Sequence, residues 1–174
     1  MKKVLFISGS LRTGSYNTGL LDAFHAQLPS SIEAVWADID LPLYNTELEA
    51  EFPDKATTLR DQIIAADAIV IATPEYNRGM SGALKNAIDW ASRPYGKNAW
   101  AGKRVLVAAA SPGGIAGALA VYQVKQSLLH LDAEVLGQPE FMVGKAKDKF
   151  TADGALHDAA THEYITKALP QLLD

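Results

Sequence analysis

Apolar residues fall along this chain in two alternating rhythms. Runs that are apolar at every position occur at 4–7, 34–36, 68–72, 105–109 and 135–136. Unbroken apolar runs suit strands covered on both faces, whereas a strand with one wet face alternates. Between the runs, apolar positions recur three or four residues apart, the spacing of one helix face. These stripes are Leu20, Phe24 and Leu28; Ala56, Leu59 and Ile63; Leu84, Ile88 and Ala91; Val121, Val124, Leu128 and Leu131; and Ile165, Leu169 and Leu172.

Five strands alternating with five helices predict an α/β fold, a doubly wound five-stranded parallel sheet with helices on both faces. Right-handed crossovers leave few topologies, and the flavodoxin-like strand order 2-1-3-4-5 has the matching number of units. No linker, internal repeat or low-complexity tract interrupts the pattern, so one domain over 1–174 is expected. Open sheets of this kind bind ligands outside the carboxyl ends of the strands, where the strand order reverses. That rule singles out the loops after strands one, three and four.

The first of these loops is rich in hydrogen-bonding groups. Ser10, Thr13, Ser15, Asn17 and Thr18 carry hydroxyls and an amide, Tyr16 lies among them, and Arg12 brings the one full positive charge. A helix starting at Asn17 or Thr18 adds about half a positive charge. A terminal phosphate, with roughly −1.5 to −2 charge, suits those parts. Read alone, the loop serves equally as a polar turn in which Ser15 or Asn17 caps the helix. It matches neither GxxxxGK[ST] nor GxGxxG, and Asp38 and Asp40 lie further on than the about 20 residues usual for a ribose-binding acid.

After strand three, Pro74, Tyr76 and Met80 offer an apolar wall, and Asn77 and the backbone offer polar contacts. A flavin ring, polar at one edge and apolar at the other, needs such a surface. A surface loop with Pro74 and Tyr76 as packing is the plainer alternative. Glu75 reads as an exposed or ion-paired carboxylate, not a catalytic base. Arg78 reads as a solvated side chain or as a contact for an anionic group of a nicotinamide cofactor or acceptor. After strand four, Ser111, Gly113 and Gly114 would let a flat ring approach the backbone.

Composition narrows the partners. The net charge of −4 gives no broad reason to hold nucleic acid. The absence of cysteine removes disulfides, thiolate metal sites and thiol nucleophiles, and fits a cytoplasmic location. The run 4–7 is shorter than a signal h-region of about 7–15 residues, and no stretch nears the about 18 needed to span a bilayer. No membrane insertion is expected. His25, His130, His157 and His162 form no ligand set, so no metal is expected.

Together the loops resemble the NADPH-dependent FMN reductase family, which includes chromate, quinone and azo-dye reductases. The resemblance rests on Gly-Ser-Leu-Arg-x-Gly-Ser-x-Asn at 9–17, Pro-Glu-Tyr-Asn at 74–77 and Gly-x-Leu-Lys-Asn-Ala-Ile-Asp-Trp at 82–90, and it extends to Pro139-Glu140-Phe141. It implies non-covalent FMN in a dimer or tetramer. Ser10, Arg12, Ser15 and Asn17 would take the phosphate, with Tyr16 and Thr18 beside them. Pro74, Glu75, Tyr76 and Asn77 would line the ring, and Ser111, Gly113 and Gly114 would meet the ring or ribityl chain. Arg78 and Met80 are candidates for the nicotinamide or acceptor.

The implied activity is ping-pong hydride transfer from NADPH or NADH, through FMN, to a quinone or another small oxidised acceptor such as chromate, an azo or a nitro compound. The cofactor carries that chemistry, so no protein nucleophile or obligatory acid is assigned. The rival readings are a flavodoxin-type electron carrier or non-catalytic flavin-binding module, and a flavin-free dehydrogenase. Gly79 and Ser81 depart from the family pattern of Ser and Pro, which points to a more mobile loop. Trp90, Tyr95 and Trp100 serve equally as a subunit interface, because aromatics are enriched there, or as packing buried within one subunit.

Overall fold

The computed structural model describes residues 1–173; Asp174, the last residue of the expected domain, lies outside them. The strands are β1 (Lys2–Ser8), β2 (Ile32–Trp36), β3 (Ala68–Ala72), β4 (Glu75–Tyr76), β5 (Gly79–Met80), β6 (Arg104–Ala110), β7 (Glu134–Val135) and β8 (Phe141–Val143). The helices are α1 (Tyr16–His25), α2 (Asp54–Ala65), α3 (Gly82–Ala91), α4 (Ala118–His130) and α5 (Ala159–Leu173), with 3₁₀ turns at Thr46–Glu51 and Ala146–Asp148.

The main sheet is parallel in the order β2-β1-β3-β6-β7, which is the expected 2-1-3-4-5 path. Successive strand residues point to opposite faces, so each strand feeds two cores. Leu5, Ile7, Ile69, Ile71, Val105 and Val107 pack under α2, α3 and α4. Val4, Phe6, Val70, Leu106 and Ala108 pack under α1 and α5. Strands covered on both faces explain why β3 is apolar at every position. Each fully buried Leu, Ile or Phe contributes roughly 1.5–3 kcal/mol, so this double core holds the sheet edge that carries the loops.

Two features differ from the sequence reading. The fifth strand is split: β7 pairs with Arg104 and Val105, and β8 pairs with Ala108 to Ala110. Pro139 sits in the gap and has no N–H to give the ladder. Side chains take up the gap instead. Lys125 Nζ donates to Gly137 O, Tyr164 Oη donates to Glu140 O, and Tyr122 Oη bonds the Glu140 carboxylate. Burial pushes the Lys125 ammonium below its usual range.

The second difference is a small hairpin, β4–β5, where an irregular loop was expected. Asn77 and Arg78 turn it with φ of 50° and 67°. Positive φ at both central residues is the tight-hairpin geometry that matches strand twist, and Asn tolerates it well. For the aromatic cluster, the structure selects burial over an interface at both tryptophans. Trp90 and Trp100 are fully buried within the subunit and donate to Pro42 O and Ile88 O, so they offer no interface; Tyr95 alone is exposed.

Candidate functional site

The three loops converge at the carboxyl edge of β1, β3 and β6, and hydrogen bonds cross-link them. Gly9 N donates to Ala72 O at 2.7 Å, and Thr73 N donates to Ala108 O at 2.9 Å. Ser81 Oγ donates to Gly9 O at 2.6 Å and accepts from Leu84 N at 3.1 Å. Ser81 thus caps α3 and ties the third-strand loop to the first. The departure from the family pattern at this position therefore pins the loop, contrary to the mobility expected. Gln123 adds a second pin by accepting from Met80 N at 2.8 Å.

Asn17 was expected to reach outward to a phosphate. Instead it is buried in the first turn of α1. Its Nδ2 donates to Ala110 O at 3.1 Å, and its Oδ1 accepts from Ala110 N at 2.9 Å. One side chain satisfies both backbone groups at the end of β6, so Asn17 joins the first loop to the third. Thr18 is similarly engaged, its hydroxyl 2.8 Å from Ser8 Oγ. Ser8 in turn contacts both the N–H and the carbonyl of Ser10. Ser15 caps α1 by accepting from Asn17 N.

Other groups in this loop have no internal partner. The backbone N–H groups of Thr13, Gly14 and Tyr16 make no hydrogen bond among the described residues. The first turn of α1 contains no acidic residue. Arg12 is exposed, lies over the Tyr16 ring at 5.6 Å and donates to Thr13 O, and it joins none of the ion pairs among the described residues. A cationic side chain, free amides and an unopposed helix start form an anion cradle. A phosphate monoester fits this donor set.

Glu75 has a different role from the expected ring contact. Its Oε2 accepts from Leu119 N at 3.1 Å and Ala120 N at 3.3 Å, capping α4. Its Oε1 pairs with Arg78 Nη1 at 3.3 Å, and its side chain is only 10% exposed. The carboxylate faces α4, so only the Glu75 backbone remains to meet a ligand. Gly117 makes this junction possible: it has φ of 79°, and a Cβ there would lie 2.7 Å from the Ala109 Cβ. Pro74 is buried, whereas Tyr76, Asn77 and Arg78 form an exposed hairpin tip.

In the third loop, Ser111 Oγ accepts from Gly113 N at 3.2 Å. Gly113 and Gly114 are exposed, and no heavy atom lies within 4 Å of a Cβ built on Gly114. The backbone there is open to a flat group. The Asn86 and Trp90 of the 82–90 motif lie elsewhere in role: Asn86 accepts from Tyr44 N and donates to Leu41 O and Pro42 O, anchoring the segment after β2. A groove of about 550 Å³ runs between α1 and the 153–156 stretch, but it borders only the first loop, with nothing from 73–81 or 111–117.

Among the described residues, no cluster of His, Asp or Glu converges as a metal site, and no helix is long and apolar enough to cross a membrane. The links made by Ser8, Ser81, Asn86 and Gln123 escaped sequence reasoning. Only the Gly-x-Leu-Lys-Asn motif gave any signal for one of them, Asn86.

The fold and this edge define a flavodoxin-like α/β protein with an anion cradle and an open glycine loop at the point where strand order reverses. The sequence profile of the NADPH-dependent FMN reductases matches residues 2–148. An NAD(P)H-dependent FMN reductase of Pseudomonas aeruginosa is 45% identical over 98% of this chain and 92% of its own. A quinone reductase of Escherichia coli is 40% identical over 96% and 91%. The solved structure of FerB, a flavoenzyme NAD(P)H:(acceptor) oxidoreductase of Paracoccus denitrificans, superposes with a TM-score of 0.91 at 38% identity, covering 100% of this chain and 96% of that one. The chain belongs to the NADPH-dependent FMN reductase family and is an FMN-dependent NAD(P)H oxidoreductase by class.

Proposed function

We propose that this chain, as a single domain, binds FMN across the three loops and reduces quinones or other small oxidised acceptors with NADPH or NADH. The observation that carries the reading is the unneutralised cationic start of α1, set beside an open glycine loop. Bound FMN would supply the hydride chemistry, accepting a hydride from the nicotinamide and passing electrons to the acceptor.

The protein's part is to bind and orient. Arg12, the Ser10 and Thr13 hydroxyls and the amides of 13–16 hold the phosphate. Asn17 and Thr18 act behind them, fixing the loop through Ala110 and Ser8. The backbone of Glu75 to Asn77 and of Ser111 to Gly114 meets the ring edge, with Tyr76 as the exposed apolar wall and the buried Pro74 behind it. Arg78, 63% exposed at the hairpin tip, can meet an anionic group of the incoming nicotinamide cofactor. Met80, half-buried across the hairpin from Glu75, is the second candidate for that contact.

Self-association as a dimer or tetramer is supported by Leu119, Tyr122 and Leu129, which are all exposed along α4. A cytoplasmic location completes the reading. The test is direct. Purified chain supplied with FMN should retain a flavin spectrum through gel filtration and oxidise NADPH when a quinone is added. Protein that passes the column colourless, or a flavin-loaded protein that leaves NADPH untouched, would overturn the proposal.

A further inference from the structure

We infer that the 151–155 turn is a positioning clamp for the phosphate loop and sets how strongly the site prefers a phosphorylated flavin; this rests on the FMN reading of that loop. The turn lies far along the chain from residues 9–18. An antiparallel bridge between Phe150 and Leu156 closes it. Thr151 holds it together: Thr151 N donates to Ala155 O at 2.8 Å, Thr151 Oγ accepts from Ala155 N at 2.9 Å, and Gly154 N donates to Thr151 O at 3.0 Å. The same hydroxyl bonds the Asp153 carboxylate, which keeps that carboxyl below its usual range and turned toward Thr151.

The turn is wedged against α1 and the loop before it. A Cβ on Gly19 would lie 1.7 Å from Gly154 O, so only glycine fits at that step of the helix. On the other side, a Cβ on Gly154 would lie 3.1 Å from the Gly14 carbonyl carbon. Gly14 and Gly19 bracket the stretch that carries the cap Ser15 and the free N–H of Tyr16. Just before the turn, the Phe150 ring packs on Tyr16 at 5.3 Å, and Tyr16 carries Arg12 above it. The clamp therefore braces both the amides and the guanidinium. Hydrogen bonds to a phosphate need donors held to within about half an ångström, so releasing the clamp weakens phosphate contacts while leaving ring contacts alone.

The experiment measures FMN and riboflavin affinities of the flavin-free protein by quenching of flavin fluorescence. Wild type, Gly19→Ala, Thr151→Val and Thr151→Ser are compared, with folding checked by circular dichroism. Wild type should bind FMN more tightly than riboflavin. Gly19→Ala and Thr151→Val should cut that preference about tenfold, the scale of one weakened charge-assisted bond, with riboflavin affinity held. Thr151→Ser keeps the hydroxyl and should keep the preference. If Gly19→Ala does not fold, Thr151→Val decides. An unchanged preference in folded Thr151→Val, or an equal fall for both flavins, overturns the clamp. A wild type that binds both flavins equally overturns the phosphate reading itself.

Discussion

Two helices start at the same edge of the sheet and end up in opposite electrostatic conditions. At α4 the chain supplies its own anion, the Glu75 carboxylate, which accepts from Leu119 N and Ala120 N. At α1 the first turn has no acidic residue, and Arg12 beside it pairs with no carboxylate among the described residues. A helix start carries about half a positive charge in either case. The difference teaches where an outside anion can go: α4 is already neutralised, and α1 is not. α3 begins between them with the neutral cap Ser81, whose hydroxyl is committed to Gly9 O and Leu84 N.

The largest expected effect breaks the frame that holds the contrast. Asn17→Ala leaves Ala110 N and O buried without partners, at about 1–3 kcal/mol each. Thermal unfolding of the flavin-free protein should register several degrees of lost stability, and flavin retention should fall with it. Next comes Arg12→Ala. It removes one charge-assisted contact and should weaken FMN binding about ten- to a hundredfold, with flavin-free stability unchanged. Equal FMN titration curves for this variant and wild type would erase the distinction between the two helix starts.

A smaller effect is expected from Glu75→Gln. The cap persists as a neutral one and Arg78 loses its ion pair, which should cost about 1 kcal/mol in denaturant unfolding. Free phosphate should then protect the flavin-free variant slightly more than wild type, since α4 has lost its internal anion. The smallest effect concerns α5, another helix start that brings its own acid. Asp158 accepts from Thr161 N and Oγ, and the Thr161 hydroxyl bond holds its carboxyl below the ordinary 3.8. A depressed folded pKa stabilises above the unfolded value, and the contribution disappears as pH falls through the folded one. Flavin-free protein should therefore lose a little stability below about pH 4, and Asp158→Asn should remove that part of the acid dependence.

The α1 cradle was partly legible in the sequence. Arg12, the two glycines and the hydroxyl residues announce a polar, permissive turn at a strand end. The roles of Asn17 and Glu75 were not, because their partners lie 93 and 44 residues away, at Ala110 and Leu119. Asn17, read as a phosphate contact, binds the backbone of Ala110 at the end of β6; Glu75, read as an ion-paired carboxylate and by resemblance as a ring contact, pairs with Arg78 and also caps α4. Whether Trp90 and Trp100 face a partner or the core stayed open for the same reason: nothing local tells an aromatic at a helix end whether a strap such as 41–44 will cover it.

What the sequence determined alone is the layered frame. Unbroken apolar runs against three-and-four spacing specify strands buried on both faces between helices, since both signals repeat within a few residues. Tertiary structure decided which charges are answered from within and which face outward. That depends on side chains meeting backbone groups far along the chain, and such meetings exist only once the sheet has brought its loops to one edge.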